Sequence, residues 1–444
     1  MEVARPIRKH ASRQTPNCDI IHSMDRRTFW KSALSAAPIL IAQPGKKFKT
    51  ALIGSGWWGM NILREAIASG ECSSVALVDP DPAQMEKAGV EIAKLTSDQP
   101  RRYRDYREML QKERPDIAIV ATPDHWHALP TIDAVKSGAH VYVEKPISHT
   151  IDEGRAMVSA ARQSDRIVQV GLHRRVSPAP ISGMAFLKSG KVGKIGMVRT
   201  FAHAAGGPGT KTPDSEPPPG MDWNLWLGPA PKRDFNTAIH PRGFRQFLDY
   251  ANGTLGDWGV HWMDQVLWWT DETHPKSVYS SAGRFIREDS TDAPDTQIVT
   301  YQFETFSCTW EQRHYAANNA EQHLIGAYFY GTEGTFHMGW RDGWTWYPAK
   351  KSEKLIHVEP QLNDPDGQNI KELWADFLDA IKKKHKPVRD IEIGYRATNA
   401  ALLGMVSWRL GRSVMWDGKQ CPDDPAANKL LRRAYRAPWK YPEA

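Results

Sequence analysis

From Lys49 the apolar positions run together instead of alternating: Thr50-Ala51-Leu52-Ile53 leads into Gly54-Ser55-Gly56-Trp57-Trp58-Gly59, and a helical spacing continues through Asn61 to Ile67. A short apolar run closed by glycine reads as a buried strand, and apolar residues three and four apart read as a helix. The alternation repeats. Ser74–Val78, Asp116–Ala121, His140–Val143 and Ile167–Gly171 read as strands, and Ala83–Leu95, Tyr106–Gln111, Leu129–Ser137 and Ile151–Ser164 as helices. Strands buried on both faces and separated by helices predict a parallel sheet. After Arg174-Arg175 the period changes to two. Ile195–His203, Ser277–Phe285, Gln297–Phe303, Ser307–Arg313, Ile325–Tyr330, Thr335–Met338 and Gly343–Tyr347 are rich in β-branched and aromatic residues and suggest one large, mostly antiparallel sheet. Two late helices, Ile370–Lys384 and Tyr395–Leu410, are expected to pack back on the body. The Gly-, Pro- and Thr-rich stretch Ala204–Gly220 is a long loop placed to cover a site, and the tail from Gln420 reads as an ordered arm or a subunit contact.

The first turn carries chemistry. Gly54 permits the tight turn, Gly56 lets backbone approach a pyrophosphate, Gly59 lets helix and strand pack closely, and the helix that opens at Trp57 and Trp58 points amide donors at phosphate. The next strand ends in Asp79, 25 residues after Gly54, where a carboxylate meets a ribose 2′-hydroxyl. That carboxylate would repel a 2′-phosphate, so NAD is favoured over NADP. The turn Thr122-Pro123-Asp124-His125-Trp126-His127 and the tripeptide Glu144-Lys145-Pro146 both follow strand ends, where ligands of open α/β sheets sit. The fold class is therefore α/β: a Rossmann dinucleotide-binding domain over residues 46–172, then an α+β domain over 173–444 with a large, mostly antiparallel sheet.

Composition narrows the partners. The chain has 444 residues and a formal charge of +7, but ten Lys/Arg against three Asp/Glu lie within Met1–Lys49, and residues 50–444 carry 48 of each sign. No basic domain remains to neutralise a nucleic-acid backbone. Cys18, Cys72, Cys308 and Cys421 have neither disulfide-framework nor zinc spacing. Tryptophan, 18 in 444 residues, is about three times its ordinary share, and indole faces stack well on sugar rings. Around Met24 the order Asp25-Arg26-Arg27-Thr28-Phe29-Trp30-Lys31, then the apolar run Ala33–Ala42, is that of a bacterial export signal and resembles the twin-arginine type. Residues 1–42 are read as this signal region, with Met24 the true start and an exported, periplasmic mature chain that has no integral membrane segment.

Asp257, His261 and Asp264 are spaced i, i+4 and i+7, so on a helix they share one face of an otherwise apolar segment. Buried charges need partners. A hydrogen-bond network is one explanation and a metal site another; with a single histidine supplied, no metal is expected.

Taken together, Gly54-x-Gly56-x-x-Gly59, Thr122-Pro123 with His127, Glu144-Lys145-Pro146, Gln169-Val170-Gly171 with Arg174-Arg175, Asp222-Trp223 with Trp226-Leu227-Gly228-Pro229, and Gly256-Asp257 to His261 resemble the Gfo/Idh/MocA oxidoreductases. The resemblance covers essentially everything after residue 46. It implies an open C-terminal sheet often used for homo-oligomer contacts, and sugar or cyclitol substrates. It also implies Lys145 touching cofactor and substrate hydroxyl, His261 as acid/base and Asp257 as the orienting carboxylate. Thr122, Pro123, Glu144 and Gln169 would line the nicotinamide side, with Arg175, His203, Trp223, Trp226 and Asp264 nearer the substrate.

Export through the twin-arginine machinery adds a constraint, because NAD is not pooled outside the cytoplasmic membrane. The cofactor would be loaded before export, held tightly and recycled internally. Two catalytic schemes satisfy this: an oxidoreductase that oxidises one sugar and reduces another, or a glycosidase or lyase working through a transient keto-sugar. A third reading is a catalytically idle, NAD-stabilised carbohydrate-binding protein.

Overall fold

Six strands build the first sheet: β1 (Phe48–Ile53), β2 (Cys72–Val78), β3 (Arg101–Tyr103), β4 (Ile117–Val120), β5 (His140–Val143) and β6 (Val168–Val170). All pair in parallel in the order β3-β2-β1-β4-β5-β6, the order of a dinucleotide-binding fold. The computed structural model describes residues 46–318, 320–362 and 368–444; the export-signal region, Met24 and Cys18 lie outside the described residues.

Helices cover both faces of this sheet, which is why its strands read as continuous apolar runs. Local signals set their starts: Asp81 accepts from the amide of Ala83 at 3.0 Å to begin Pro82–Leu95, and Asp105 accepts from Arg107 at 2.9 Å to begin Tyr106–Glu113. One helix comes from far along the chain. Leu373, Trp374 and Phe377 of Ile370–Lys383 join Leu52, Leu77 and Tyr142 in one core, so the sheet is closed by residues from the second half.

The second sheet holds β7 (Ile195–His203), β8 (Ser277–Gly283), β9 (Thr296–Gln302), β10 (Ser307–Arg313), β11 (Ile325–Gly331), β12 (Gly334–Gly339), β13 (Trp344–Pro348), β14 (Ile356–Val358) and β15 (Val414–Met415). Its order is β14-β13-β12-β11-β7-β10-β9-β8-β15, antiparallel except for β7 beside β10. One face packs against the helices Pro178–Lys188, Val260–Thr270 and Ile391–Leu410 around Trp262, Val299, Tyr301 and Trp310. The other leaves Met197, Tyr279, Ile298 and Tyr330 exposed, as period-two alternation requires.

Several elements differ from the sequence reading. The helix expected from Tyr395 begins at Ile391, capped by Asp390, which accepts from Glu392 at 3.1 Å. Gly394 does not break it: a Cβ there would meet Val170 at 2.6 Å, so the glycine serves close packing against β6. The helix Pro178–Lys188 and the short strands β3, β14 and β15 gave no clear period. The Ala204–Gly220 loop does not cover the site; it is pinned to the Phe235–Asn236 segment, with Ser215 donating to the Phe235 carbonyl at 2.9 Å and Asn236 to Thr212 at 2.8 Å. The tail is an ordered arm: Arg433 meets Glu153 at 2.9 Å, and Trp439 stands edge-on to Trp126 at 4.8 Å.

Candidate active site

A cavity of about 720 Å³ opens at the carboxyl ends of β1, β2, β4 and β5 and is closed from above by residues of the second half. Its lower wall is the glycine turn. A Cβ on Gly54 would lie 2.5 Å from the Ala121 carbonyl oxygen and one on Gly59 2.2 Å from that of Gly54, whereas one on Gly56 would meet nothing within 4 Å. Two glycines thus serve packing and the third leaves a cradle in front of the helix Trp57–Ala68, whose first amides have no side-chain cap. Trp57 and Trp58 lie on the same wall. Asp79 ends β2 and accepts from the amides of Ser55 and Asp81, each at 2.9 Å. Burial pushes its carboxyl up to about 7 against those two donors, so a polar ligand group here relieves a real desolvation penalty. Thr122 Oγ1, buried on the cavity wall, has no hydrogen-bond partner among the described residues. These features fit a dinucleotide.

The turns after β4 and β5 are tied together by one ring. His127 lies between the carbonyls of Thr122 and Pro146, at 2.8 and 2.6 Å, and burial lowers its pKa to about 4. Pro123 and Glu144 line the same end. Glu144 is buried, with its pKa raised by desolvation against the opposing Lys145 charge, and Gly171 has no side chain because a Cβ would fall 2.2 Å from its Oε1.

Facing these turns, and met by Lys145 from the second of them, lie the other groups a reaction needs. Lys145 Nζ donates to Asp257 Oδ1 at 2.6 Å and to the Asp257 carbonyl at 3.0 Å. Arg245 lies 3.4 Å from the same carboxylate. Burial alone would raise the Asp257 pKa, but Lys145 and Arg245 overcome it and hold the group ionised. His261 is buried with its ring 4.9 Å from Trp340 and 5.7 Å from His173. Desolvation, then the cations Lys145 and Arg174, keep its pKa well below 6.5, so the imidazole is neutral. Asp124, buried on the wall, is pushed up to about 7, first by burial.

Five residues assigned from the sequence to this site lie elsewhere. Leu255–Gly259 is a π-helical turn that runs into the helix Val260–Thr270, and the i, i+4, i+7 stripe divides after His261: Asp257 and His261 line the cavity and Asp264 does not. Asp264 instead meets Arg389 at 2.7 Å and Arg175 at 2.9 Å inside the core, which removes both Asp264 and Arg175 from the cavity. Gln169 donates to the Leu373 carbonyl at 2.8 Å, away from the nicotinamide end. His203 alternates with Arg199 and Phe201 onto the open face of the second sheet, 3.3 Å from Arg313. Trp223 stands behind Trp226, stacked at 4.5 Å, with its Nε1 on the Arg233 carbonyl; only Trp226 lines the cavity. Conversely, Asp124, Arg245, Trp258, Trp340 and Arg341 line it without having been singled out. Asp124 had a usable signal, its place in the turn after β4; the others had none.

The chain matches an oxidoreductase family in both halves: the NAD-binding Rossmann fold over residues 48–172 and the C-terminal alpha/beta domain over 206–441. D-glucoside 3-dehydrogenase of Escherichia coli strain K12 is 22% identical over 388 residues, covering 82% of this chain and 94% of its own. An alpha-N-acetylgalactosaminidase of Shewanella oneidensis is 29% identical over 131 residues, 29% of this chain and 28% of its own. Among solved structures, levoglucosan dehydrogenase in complex with NADH and levoglucosan superposes with a TM-score of 0.65 at 18% identity, over 83% of this chain and 99% of its own. Aldose-aldose oxidoreductase from Caulobacter crescentus, complexed with glycerol, gives 0.61 at 19% identity, over 84% and 100%.

Proposed function

The chain belongs to the Gfo/Idh/MocA oxidoreductases, enzymes that bind NAD in a Rossmann domain, and from that premise we propose that it oxidises a ring hydroxyl of a sugar, cyclitol or glycoside. The observation that carries this reading is the Lys145–Asp257 pair at 2.6 Å, which joins the turn after β5 to the wall that bears neutral His261 in the same cavity. NAD, when bound, supplies the hydride acceptor at nicotinamide C4. The protein supplies the rest. His261, held neutral by burial and by neighbouring cations, takes the hydroxyl proton as the carbon–oxygen bond becomes a carbonyl. The Lys145 ammonium, fixed by Asp257, steadies the developing alkoxide. Trp226 and Trp340 give flat apolar faces for a sugar ring.

The twin-arginine pattern and the absence of a NAD pool outside the cytoplasmic membrane support a further reading: the mature protein is exported with NAD held tightly and recycled between two sugars. The exposed face bearing Met197, Tyr279, Ile298 and Tyr330 supports a homo-oligomer. Mass and absorbance analysis of protein purified without added nucleotide, before and after mixing with sugars and aryl glycosides, tests the reading. Near-stoichiometric NAD that is reduced by one sugar and reoxidised by another is expected, and an empty protein that turns over only with added NAD refutes internal recycling. The 29% identity to an alpha-N-acetylgalactosaminidase over 131 residues favours, as second reading, a glycosidase that returns its hydride; released aglycone without net NADH selects it.

A further inference from the structure

One carboxyl of the cavity has no part in the proton and hydride steps. Asp124 follows Pro123 in the turn after β4, is 5% exposed and lines the cavity. Three other carboxyls there are each met by a donor from another residue: Asp79 by two amides at 2.9 Å, Glu144 by the Lys145 amide at 3.2 Å and Asp257 by the Lys145 ammonium at 2.6 Å. Among the described residues, only its own backbone amide donates to the Asp124 carboxyl. The charges that act on it are Arg245, Asp257 and Lys145, the groups of the reacting end, yet Arg245 is turned to Asp257, 3.4 Å away. The backbone that carries Asp124 is fixed on every side. Trp126 donates to the Pro123 carbonyl at 2.9 Å, His127 to that of Asp124 at 3.1 Å and His125 to that of Tyr250 at 3.0 Å. The side chains of His125 and Trp126 both meet the Trp226 carbonyl, at 3.0 and 2.9 Å. A buried carboxyl without donors is costly, and burial pushes this one up to about 7. A ligand that brings a hydroxyl donor to this point removes that cost.

We propose that Asp124 reads a second hydroxyl of the substrate ring, accepting its hydrogen bond while Lys145 meets the hydroxyl that is oxidised. The proposal rests on the reading of this chain as an enzyme that oxidises a sugar or cyclitol ring. It narrows the substrate class to rings held at two hydroxyls. Trp226 and Trp340 offer flat faces to any such ring, so they do not distinguish one hydroxyl pattern from another. Asp124 does, because an analogue that lacks the second hydroxyl leaves the carboxyl buried and unmet, and a site built to bond a hydroxyl rejects the ligand without it.

The test uses the full chain loaded with NAD, a panel of methyl hexopyranosides and inositols, and the monodeoxy analogues of the best probe, with reduction of NAD followed by absorbance in the first turnover. In the wild type, kcat/KM is expected to fall by about 100-fold or more for one monodeoxy analogue. Asp124→Ala lowers kcat/KM for the parent probe and shrinks that discrimination to less than about fivefold. Asp124→Asn, which keeps an acceptor oxygen, restores part of it. Calorimetric NAD affinity stays at the wild-type value in both variants and reports that the fold is kept. Folded variants that discriminate as the wild type does overturn the proposal, and so does a loss confined to NAD affinity, which would give the carboxyl to a hydroxyl of the cofactor. A wild type that reduces NAD with none of the probes brings down the sugar-oxidising reading itself, a result distinct from either.

Discussion

The lower half of the cavity is built from backbone and the upper half from side chains. On the cofactor side, Gly54, Gly56 and Gly59, the free amides of one helix and the carbonyls that hold His127 do most of the shaping, and each lies within a few residues of a strand end. On the substrate side, Lys145 reaches Asp257 across 112 positions of sequence and Trp340 closes over His261 from a turn still further along. The first kind of site tolerates many side chains so long as the turn is kept. The second depends on each named group, because its charges are fixed only by one another.

The largest effect expected from this division concerns Asp264, which the structure moves out of the site altogether. Asp264→Ala strands the fully buried Arg389 and its neighbour Arg175, so a loss of about 3–5 kcal/mol in unfolding free energy is expected. Unchanged stability with lost turnover would instead return Asp264 to the substrate half. His261→Gln should lower kcat by about 10²- to 10⁴-fold while calorimetric NAD affinity stays at the wild-type value; a parallel fall in NAD affinity would break the division between the halves. Asp79→Ala is expected to do the reverse, weakening NAD by about 10- to 100-fold with kcat at saturating NAD retained.

A smaller effect is set by pH. Burial holds His125 at about 3, His127 at about 4 and His261 well below 6.5. The unfolded chain takes up protons near 6.5 that these folded residues refuse. The contribution of these histidines is therefore full above that value and falls as the pH drops from 6.5 towards 4, by about 1.4 kcal/mol per pH unit for each; His149, His173 and His314 add to it, so that together they exceed the opposite contribution of the raised carboxyls of Asp79 and Asp124. Unfolding midpoints measured between pH 8 and pH 5 check the sign; a midpoint that rises on acidification contradicts it.

Much of the cofactor half was legible along the chain. The run into Gly54, the glycine spacing, the acid at Asp79 and the lysine after β5 are local features, and the seven β-rich stretches of the second half all became strands. The misplacements share a cause. The resemblance puts His203 near the substrate, but alternation along β7 sends its ring to the far face; helical spacing puts Asp264 with His261, but Arg389 and Arg175, from distant segments, hold it in the core. Arg245 and Trp340 carry no motif and enter the cavity only because distant segments fold over it.

What the sequence by itself determined is the set of elements and the turn that receives a dinucleotide. Backbone dihedrals, caps and apolar period act over a few residues, and they are written where they act. Only the tertiary structure decided which charged groups meet at the reacting end, that Ile370–Lys383 completes the first sheet's core, and that Asp124 joins those groups in one cavity. Such convergence depends on packing between residues far apart in the chain, and no local period records it.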